Sequence, residues 1–393
     1  MKRDTDIDAA RGFMLVWMTL THLPTMLTPW VNQPFGYISA SEGFIFLSAL
    51  FTGRIYYRQL TRDGVGKMSA KLLLRTVRLY WYHVLLLLFA FVIAARFAIG
   101  PHGQGLYNLL DFYFAAGPGR ALGDALLLIY RPPLLDIIPL YIIFLLLSPL
   151  IIGVSTRVGW KFILGGSFAV WLLAQFGLRE MLYAALSHQF GLRIPLNEMG
   201  AFNLWAWQFV WVFGLWGGVC WSRECLPAQK WARRMWIPAA LVFATLFAVR
   251  YFELSGMSLG SWEIFFDKWH LGVIRMFNFA AIAIVLIRFR SAVKPLAIRP
   301  LVLLGQSSLQ VFCTHFLFCF LGIGLMGDAD RIFGWRQFAL IVVTFAALLF
   351  VAKIYGRHEL SAPAVAGSAK IVPGNRPLAH PEREFARAEA QTR

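Results

Sequence analysis

The stretch "ARGFMLVWMTLTHLP", residues 10–24, is apolar enough to enter a membrane, yet it carries Arg11 near one end and His22 near the other. A plain anchor needs neither. A charged or titratable group within an apolar span is costly and by default marks a cavity or a pathway. The two residues are eleven apart in the chain. At roughly 100° per residue they fall within about 20° of three full turns, so they share one helix face, ~16.5 Å apart along it. One face thus presents a fixed cation at one level and a titratable base at another.

Blocks of the same kind recur along the chain. Of its 393 residues, 59% are hydrophobic, and the mean hydropathy is +0.62. The apolar residues gather in runs of about 20, the length a helix needs to cross a hydrocarbon core of ~30 Å. Ten spans are predicted, at about 7–28, 39–58, 79–99, 134–154, 159–177, 202–222, 234–252, 270–288, 302–325 and 337–355. The expected fold is an all-α, polytopic integral membrane helical bundle over residues 1–355, with no large soluble domain. The block 121–131 is too short to cross and reads as a re-entrant or interfacial piece. No internal repeat and no strand stands out. From residue 356 to 393 the chain is rich in Ala, Pro, Arg and Glu without apolar period, which predicts a disordered tail.

The formal charge of +17 would suit nucleic acid, but the basic residues sit in short loops between apolar blocks and form no folded basic domain. Nucleic acid is therefore excluded as a partner, and membrane lipid is expected. The loop around residues 54–78 holds Arg54, Arg58, Arg62, Lys67, Lys71, Arg75 and Arg78, whereas 29–38 holds no Lys or Arg. This alternation predicts cytoplasmic N- and C-termini in a multi-pass protein. No small-residue cleavage site follows the first block, so it reads as an uncleaved span. Cys220, Cys225, Cys313 and Cys319 lie in or beside spans and imply neither a disulfide framework nor a zinc site.

More polar residues gather at the level of His22. Glu42 lies just inside the second block, at a similar depth in an adjacent antiparallel helix. A carboxylate there would orient the imidazole and raise its basicity. Asp136 enters the fourth span from the same side, Asn203 and Gln208 the sixth, and Lys268, His270, Arg275 and Asn278 the eighth. Convergence of these faces would line a vestibule, with Trp205, Trp207, Trp262 and Trp269 interleaved as stacking faces or as ordinary interface residues. At the opposite level, Arg75 and Arg78 are three apart and are expected on one face, suited to phosphate or to anionic lipid. His315 and Cys319 read as packing residues rather than metal ligands. Ser307 and Ser308 read as helix caps rather than nucleophiles.

Taken in order, these segments resemble a family. R-x10-H in the first span, "SASEGFIFLSA", "RTVRLYWY", "PPLLDIIPLY", "FNLWAWQFVWVFG" and "LLGQSSLQVF" are similar to the OpgC-type proteins, related to the integral-membrane acyltransferase 3 superfamily. The likeness covers about residues 1–355. It implies a ten-helix bacterial inner-membrane acyltransferase that takes an acyl group from cytoplasmic acyl-CoA and delivers it to a hydroxyl outside. The family is associated with succinylation of osmoregulated periplasmic glucans, so the resemblance implies an acyl-CoA donor, with succinyl-CoA as one candidate, and a periplasmic glucan or other extracytoplasmic carbohydrate as acceptor. The resemblance maps His22 onto the family histidine, Arg11 onto the arginine of that motif, and Arg75 and Arg78 onto the arginines before the third span. Thr21 stands where the pattern often has aspartate, so the partner of His22 stays open between Glu42 and Asp136.

On this reading His22 is the base, with Glu42 or Asp136 beside it. Arg11, Arg75 and Arg78 face the CoA phosphates, and Asn203, Gln208, Lys268 and Arg275 face the substrates. The alternative from another class is a proton-coupled or organic-anion transporter, which would also bury His, Glu and Asp. The missing inverted repeat, and the lack of Gly/Pro-broken spans at matching positions, count against it. A membrane scaffold is a third reading.

Overall fold

The computed structural model describes residues 5–225, 228–254, 256, 259–327 and 334–361, and every regular element among them is helical. The chain divides into Met1–Gly356 and Arg357–Arg393. The tail expected to be disordered falls, from residue 362 onward, outside the described residues. The principal helices are α1 (Thr5–His22), α2 (Ala40–Leu88), α3 (Pro118–Leu126), α4 (Ile137–Val158), α5 (Trp160–Gln175), α6 (Leu178–Phe190), α7 (Leu204–Ser222), α8 (Ala228–Leu254), α9 (Val273–Arg288), α10 (Arg299–Gln306), α11 (Ser308–Met326) and α12 (Trp335–Ser361).

Each apolar block of the sequence falls on a helix, but the count of spans differs. Among the described residues, five helices are long and apolar enough to cross a membrane, or six when α5 and α6, bent by 79° at their junction, form one broken span. The remaining blocks are shorter, or carry charged, polar or close-packing residues that face protein neighbours. α1 holds Asp6, Asp8 and Arg11. α7 mixes five tryptophans with three glycines. α9 is 16 residues long and contains Arg275 and Asn278. Such helices are stabilised by protein neighbours, not by lipid. By contrast, α8 and α12 bury little of their length inside the bundle, so their apolar surface is left for the hydrocarbon.

Two predicted spans fuse in α2, which runs on through a π-helical turn at Phe89–Ala94 to Ala98 as 59 residues. Straight, that length would be ~88 Å, about three membrane cores. It is not straight. Gly64 sits at φ 82° and ψ 170°, outside the helical region, a conformation glycine reaches without a Cβ clash. Beyond it the chain doubles back. Lys71 donates to Gln59 Oε1 at 2.9 Å, and Arg75 donates to Thr52 Oγ1 at 3.3 Å. Partner numbers that fall on one arm as they rise on the other describe an antiparallel pair.

Close backbone contact fixes the helices around this pair. A Cβ on Gly218 would stand 2.0 Å from the Leu50 carbonyl oxygen, one on Gly214 2.6 Å from Ala49 Cβ, and one on Gly53 2.2 Å from the Leu215 carbonyl oxygen. Small residues four apart on α7 and on α2 thus let the two backbones touch, a packing mode suited to apolar surroundings where no hydrophobic force drives helices together. The same holds for α1 against α10. A Cβ on Gly12 would lie 1.9 Å from the Leu301 carbonyl oxygen, and one on Gly305 1.8 Å from that of Asp8.

The segment between α2 and α4 does not cross as a long helix. The Tyr80 hydroxyl donates to the Leu126 carbonyl at 2.9 Å, and Tyr113 to the Phe91 carbonyl at 3.0 Å. These bonds lay α3 and its preceding turns along the second arm of α2. The ninth predicted span is broken at Ser307, between α10 and α11. Ser307 occupies the cap position, but its hydroxyl makes no cap bond. It donates instead to the Ala352 carbonyl of α12 at 3.3 Å.

Candidate active site

His22 is the last residue of α1, where the helix stops before Pro24. Proline lacks the N–H and disfavours a helical residue before it, so the helix terminates there and leaves the imidazole at its end. The ring is half-buried. Its Nδ1 lies 3.3 Å from Nε2 of His315, on α11. The two rings are nearly parallel, with centroids 5.6 Å apart, and Phe316 lies against both, stacked on His22 at 6.0 Å and tilted against His315 at 4.0 Å. His315 is 1% exposed, and its Nδ1 sits 2.5 Å from the Phe312 carbonyl oxygen. Reading His315 as a packing residue is therefore incomplete: it packs, and it is also the histidine's partner.

Glu42 opens α2 and is fully buried. It closes a capping box with Ser39, accepting from the Ser39 N–H at 3.0 Å and its hydroxyl at 2.5 Å. Its other oxygen takes Nε of Arg275 in an ion pair from which solvent is absent. Asp136, at the start of α4, accepts from the Ala201 N–H at 3.1 Å. Among the described residues, then, neither carboxylate hydrogen-bonds to His22. Both are occupied by groups that complete helix starts or neutralise charge, demands that a buried carboxylate must satisfy first.

Lys268 lies in the loop before α9, its ammonium 4.9 Å from the Trp269 ring centre. It is the electrostatic neighbour of His22, Glu42, Arg275 and Asp136 together. Burial pulls this ammonium below the usual lysine range. Arg275 adds to that effect, while Glu42 and Asp136 oppose it. The starts of α2, α4 and α9 and the end of α1 thus bring His22, Glu42, Asp136, Lys268 and Arg275 to one level. Nη1 and Nη2 of Arg275, and Nδ2 of Asn203, are buried without a hydrogen-bond partner among the described residues. Asn203 caps α7, its Oδ1 accepting from the Trp205 N–H at 3.1 Å.

Two expected members stand apart. Gln208 is consumed in tying α7 to α5, accepting from the Ser167 hydroxyl at 2.6 Å and donating to its carbonyl at 2.8 Å. His270 is held by Asp267 at 2.5 Å and lies 3.7 Å from Glu180. Trp207, read as a stacking face, is fully buried, and its indole N–H donates to the Trp269 carbonyl at 3.1 Å.

At the other end of the His22 face, Arg11 donates to the Ser308 hydroxyl and lies 5.2 Å from the Phe51 ring centre. Arg75 reaches the adjacent residue of α2, Thr52, and donates to the Tyr141 hydroxyl at 2.8 Å. Arg11 and Arg75 thus touch adjacent residues of α2, Phe51 and Thr52. Arg78 does not join them; it is exposed where Arg75 is half-buried. A spacing of three leaves residues about 60° apart, enough to turn one side chain inward and the other out. Ser308, read from the sequence as a cap, proves to be the arginine's partner.

Two open clefts flank these levels. One of about 430 Å³ lies at the His22 end, lined by Tyr37, Arg250, Glu253, Phe266 and Asp267 among others. The other, about 360 Å³, lies at the opposite end between Tyr57, Thr156, Trp160 and Arg223. Neither is lined by His22 or Arg11.

A family model described as OpgC protein matches residues 3–359. The chain belongs to the OpgC protein family. The match takes in the first eleven helices and all but the last two residues of α12, and with them every residue of both levels. No curated protein and no solved structure matches the chain. The chain is a multi-pass OpgC family membrane protein. The sequence did carry a signal for His315. An intramembrane histidine is a functional candidate whether it stands on the first helix or the ninth block.

Proposed function

We propose that this OpgC family protein is an acyl-CoA-dependent O-acyltransferase of the bacterial inner membrane. It moves a succinyl group from cytoplasmic succinyl-CoA to a hydroxyl of a periplasmic glucan. The observation that carries this reading is the two-level face of α1. His22 is stationed at one end amid the buried ionic cluster, and Arg11 joins Arg75 at the other.

Acyl-CoA docks from the cytoplasm with Arg11 and Arg75 toward its phosphates, for which guanidinium groups are suited. Arg78, being exposed, serves at the surface of that entrance. The thioester is threaded toward His22. His22 accepts the proton of the glucan hydroxyl as that oxygen attacks the thioester carbonyl. The tetrahedral intermediate collapses with loss of the C–S bond, and the proton passes from His22 to the departing CoA sulfur. An ester and free CoA result. Donors for the oxyanion come from Nδ2 of Asn203 or the terminal nitrogens of Arg275, which have no protein partner among the described residues. Arg275 and Lys268 also supply the positive charge that the free carboxylate of a succinyl group requires. Glu42 and Asp136 act by holding these cations and helix starts in place.

All ten apolar blocks cross the membrane in this reading, the more polar ones shielded by their neighbours, with both termini cytoplasmic. Periplasmic and envelope glycans would be compared by mass spectrometry in wild type, a deletion, and a deletion carrying His22→Ala at equal expression. A succinyl increment confined to wild type is expected. Three matching profiles would sink the acyltransferase reading, and uptake of labelled anions into proteoliposomes would then test a transporter.

A further inference from the structure

We infer that His315 is the positioning residue of His22, fixing its tautomer so that the lone pair stands on Nε2. This rests on the reading of His22 as the base. The chain of bonds begins at the Phe312 carbonyl. The Phe312 carbonyl has lone pairs and no proton, so the hydrogen shared over 2.5 Å belongs to Nδ1 of His315. A neutral imidazole carries one N–H, so Nε2 of His315 holds a lone pair. That nitrogen is 3.3 Å from Nδ1 of His22. Two lone pairs cannot share a hydrogen bond, so His22 Nδ1 carries the hydrogen. The remaining nitrogen of His22, Nε2, is then the unprotonated one. A backbone carbonyl, fixed by its own helix, dictates through the intervening His315 which atom of His22 accepts a proton.

The surroundings agree with a neutral partner. The groups facing His22 are His315 from α11 and Lys268 from the loop before α9. The carboxylates of Glu42 and Asp136 are committed elsewhere. A carboxylate in the place of His315 would add a second buried charge needing its own partners, whereas an imidazole acceptor needs only the Phe312 carbonyl. When Nε2 of His22 takes the hydroxyl proton, its Nδ1–H still donates to His315, and that bond strengthens because the donor is now charged. Contact of both rings with Phe316 holds the geometry through this change.

The test uses the purified full chain in nanodiscs with succinyl-CoA and glucan. His315→Phe keeps the ring volume and removes the acceptor, and His315→Gln returns an acceptor near the Nε2 position. His315→Phe is expected to lower kcat about a hundredfold or more with the succinyl-CoA KM unchanged, and His315→Gln to stay within about tenfold of wild type. Nitrogen-15 imidazole spectra, with His22 assigned from a His22→Gln sample, should show Nδ1 protonated and Nε2 bare. In His315→Phe they should show a mixture of tautomers. A folded His315→Phe enzyme with near wild-type kcat, or a wild-type spectrum with Nε2 protonated, overturns the inference. If wild type itself transfers no succinyl group, the functional reading fails, and the spectra still decide the tautomer.

Discussion

At the scale of single residues, the buried Glu42–Arg275 pair makes a sharp demand. Both side chains are essentially inaccessible, so removing one charge strands the other. Glu42→Gln is expected to destabilise the protein by about 3–5 kcal/mol, whereas a double replacement by apolar residues of similar size, Glu42→Leu with Arg275→Met, should lose much less. Thermal unfolding in detergent checks this, and an unchanged midpoint for Glu42→Gln would rule out the pair as a structural anchor. A second residue-scale prediction concerns pH. Asp267 holds His270 above its usual range, by hydrogen bonding first and charge second, and Glu180 adds to it. The stabilisation from His270 is thus complete below its ordinary value of about 6.5 and fades as pH rises through the higher folded value. Asp267 is held below its usual range against the opposing effect of burial, by hydrogen bonds from His270 and the N–H groups of Trp269 and His270. Its share is lost only on acidification through that depressed value. Amide exchange in the 267–272 loop should therefore quicken on the alkaline side beyond the intrinsic pH trend, and the excess should vanish in His270→Gln. An excess that persists in the variant refutes the assignment.

At the scale of elements, the helices that carry the functional residues are set by glycine contacts. Gly12 lies one residue from Arg11, and its face touches the Leu301 carbonyl on α10. Gly12→Ala must push α1 from α10 and is expected to cost about 1–3 kcal/mol through overpacking. It should also weaken transfer, because Arg11 and His22 ride on the displaced helix. A control at Gly166 of α5, where an added Cβ meets nothing within 4 Å, should leave the unfolding midpoint within about a degree of wild type. Equal behaviour of the two variants would show that α1 is not fixed by this contact. The sequence placed the helices well, since runs of about 20 apolar residues leave few alternatives. It did not show that one pair of blocks would join through Gly64, or that the block at 302–325 would break at Ser307. Breaks of this kind depend on which neighbour receives the exposed backbone and hydroxyl groups.

At the scale of the whole molecule, the proposed orientation is testable through the native cysteines. Cys220, Cys313 and Cys319 are buried and Cys225 is exposed, so a Cys225→Ser background leaves few reactive thiols. In it, Asn32→Cys should react with an impermeant thiol reagent added to spheroplasts, and Lys67→Cys only after the membrane is opened. The reverse pattern would invert the topology and with it the assignment of donor and acceptor sides.

Periodicity and composition by themselves determined the helical class, the membrane environment and the shared face of Arg11 and His22, because hydrocarbon thickness and helix pitch are fixed lengths. They also placed His22, Glu42, Asp136, Lys268 and Arg275 at one level, since depth along a span can be counted in residues. Which of these touch was a matter for the tertiary structure alone. It gave Glu42 to Arg275 and Asp136 to the Ala201 backbone, turned Gln208 toward α5 and Arg78 outward, and brought His315 from almost three hundred residues away to His22. Depth fixes one coordinate of a side chain in a bundle. The rotation of each helix and the choice of its neighbours, on which hydrogen bonds of about 3 Å depend, come from close packing between elements that no local pattern encodes.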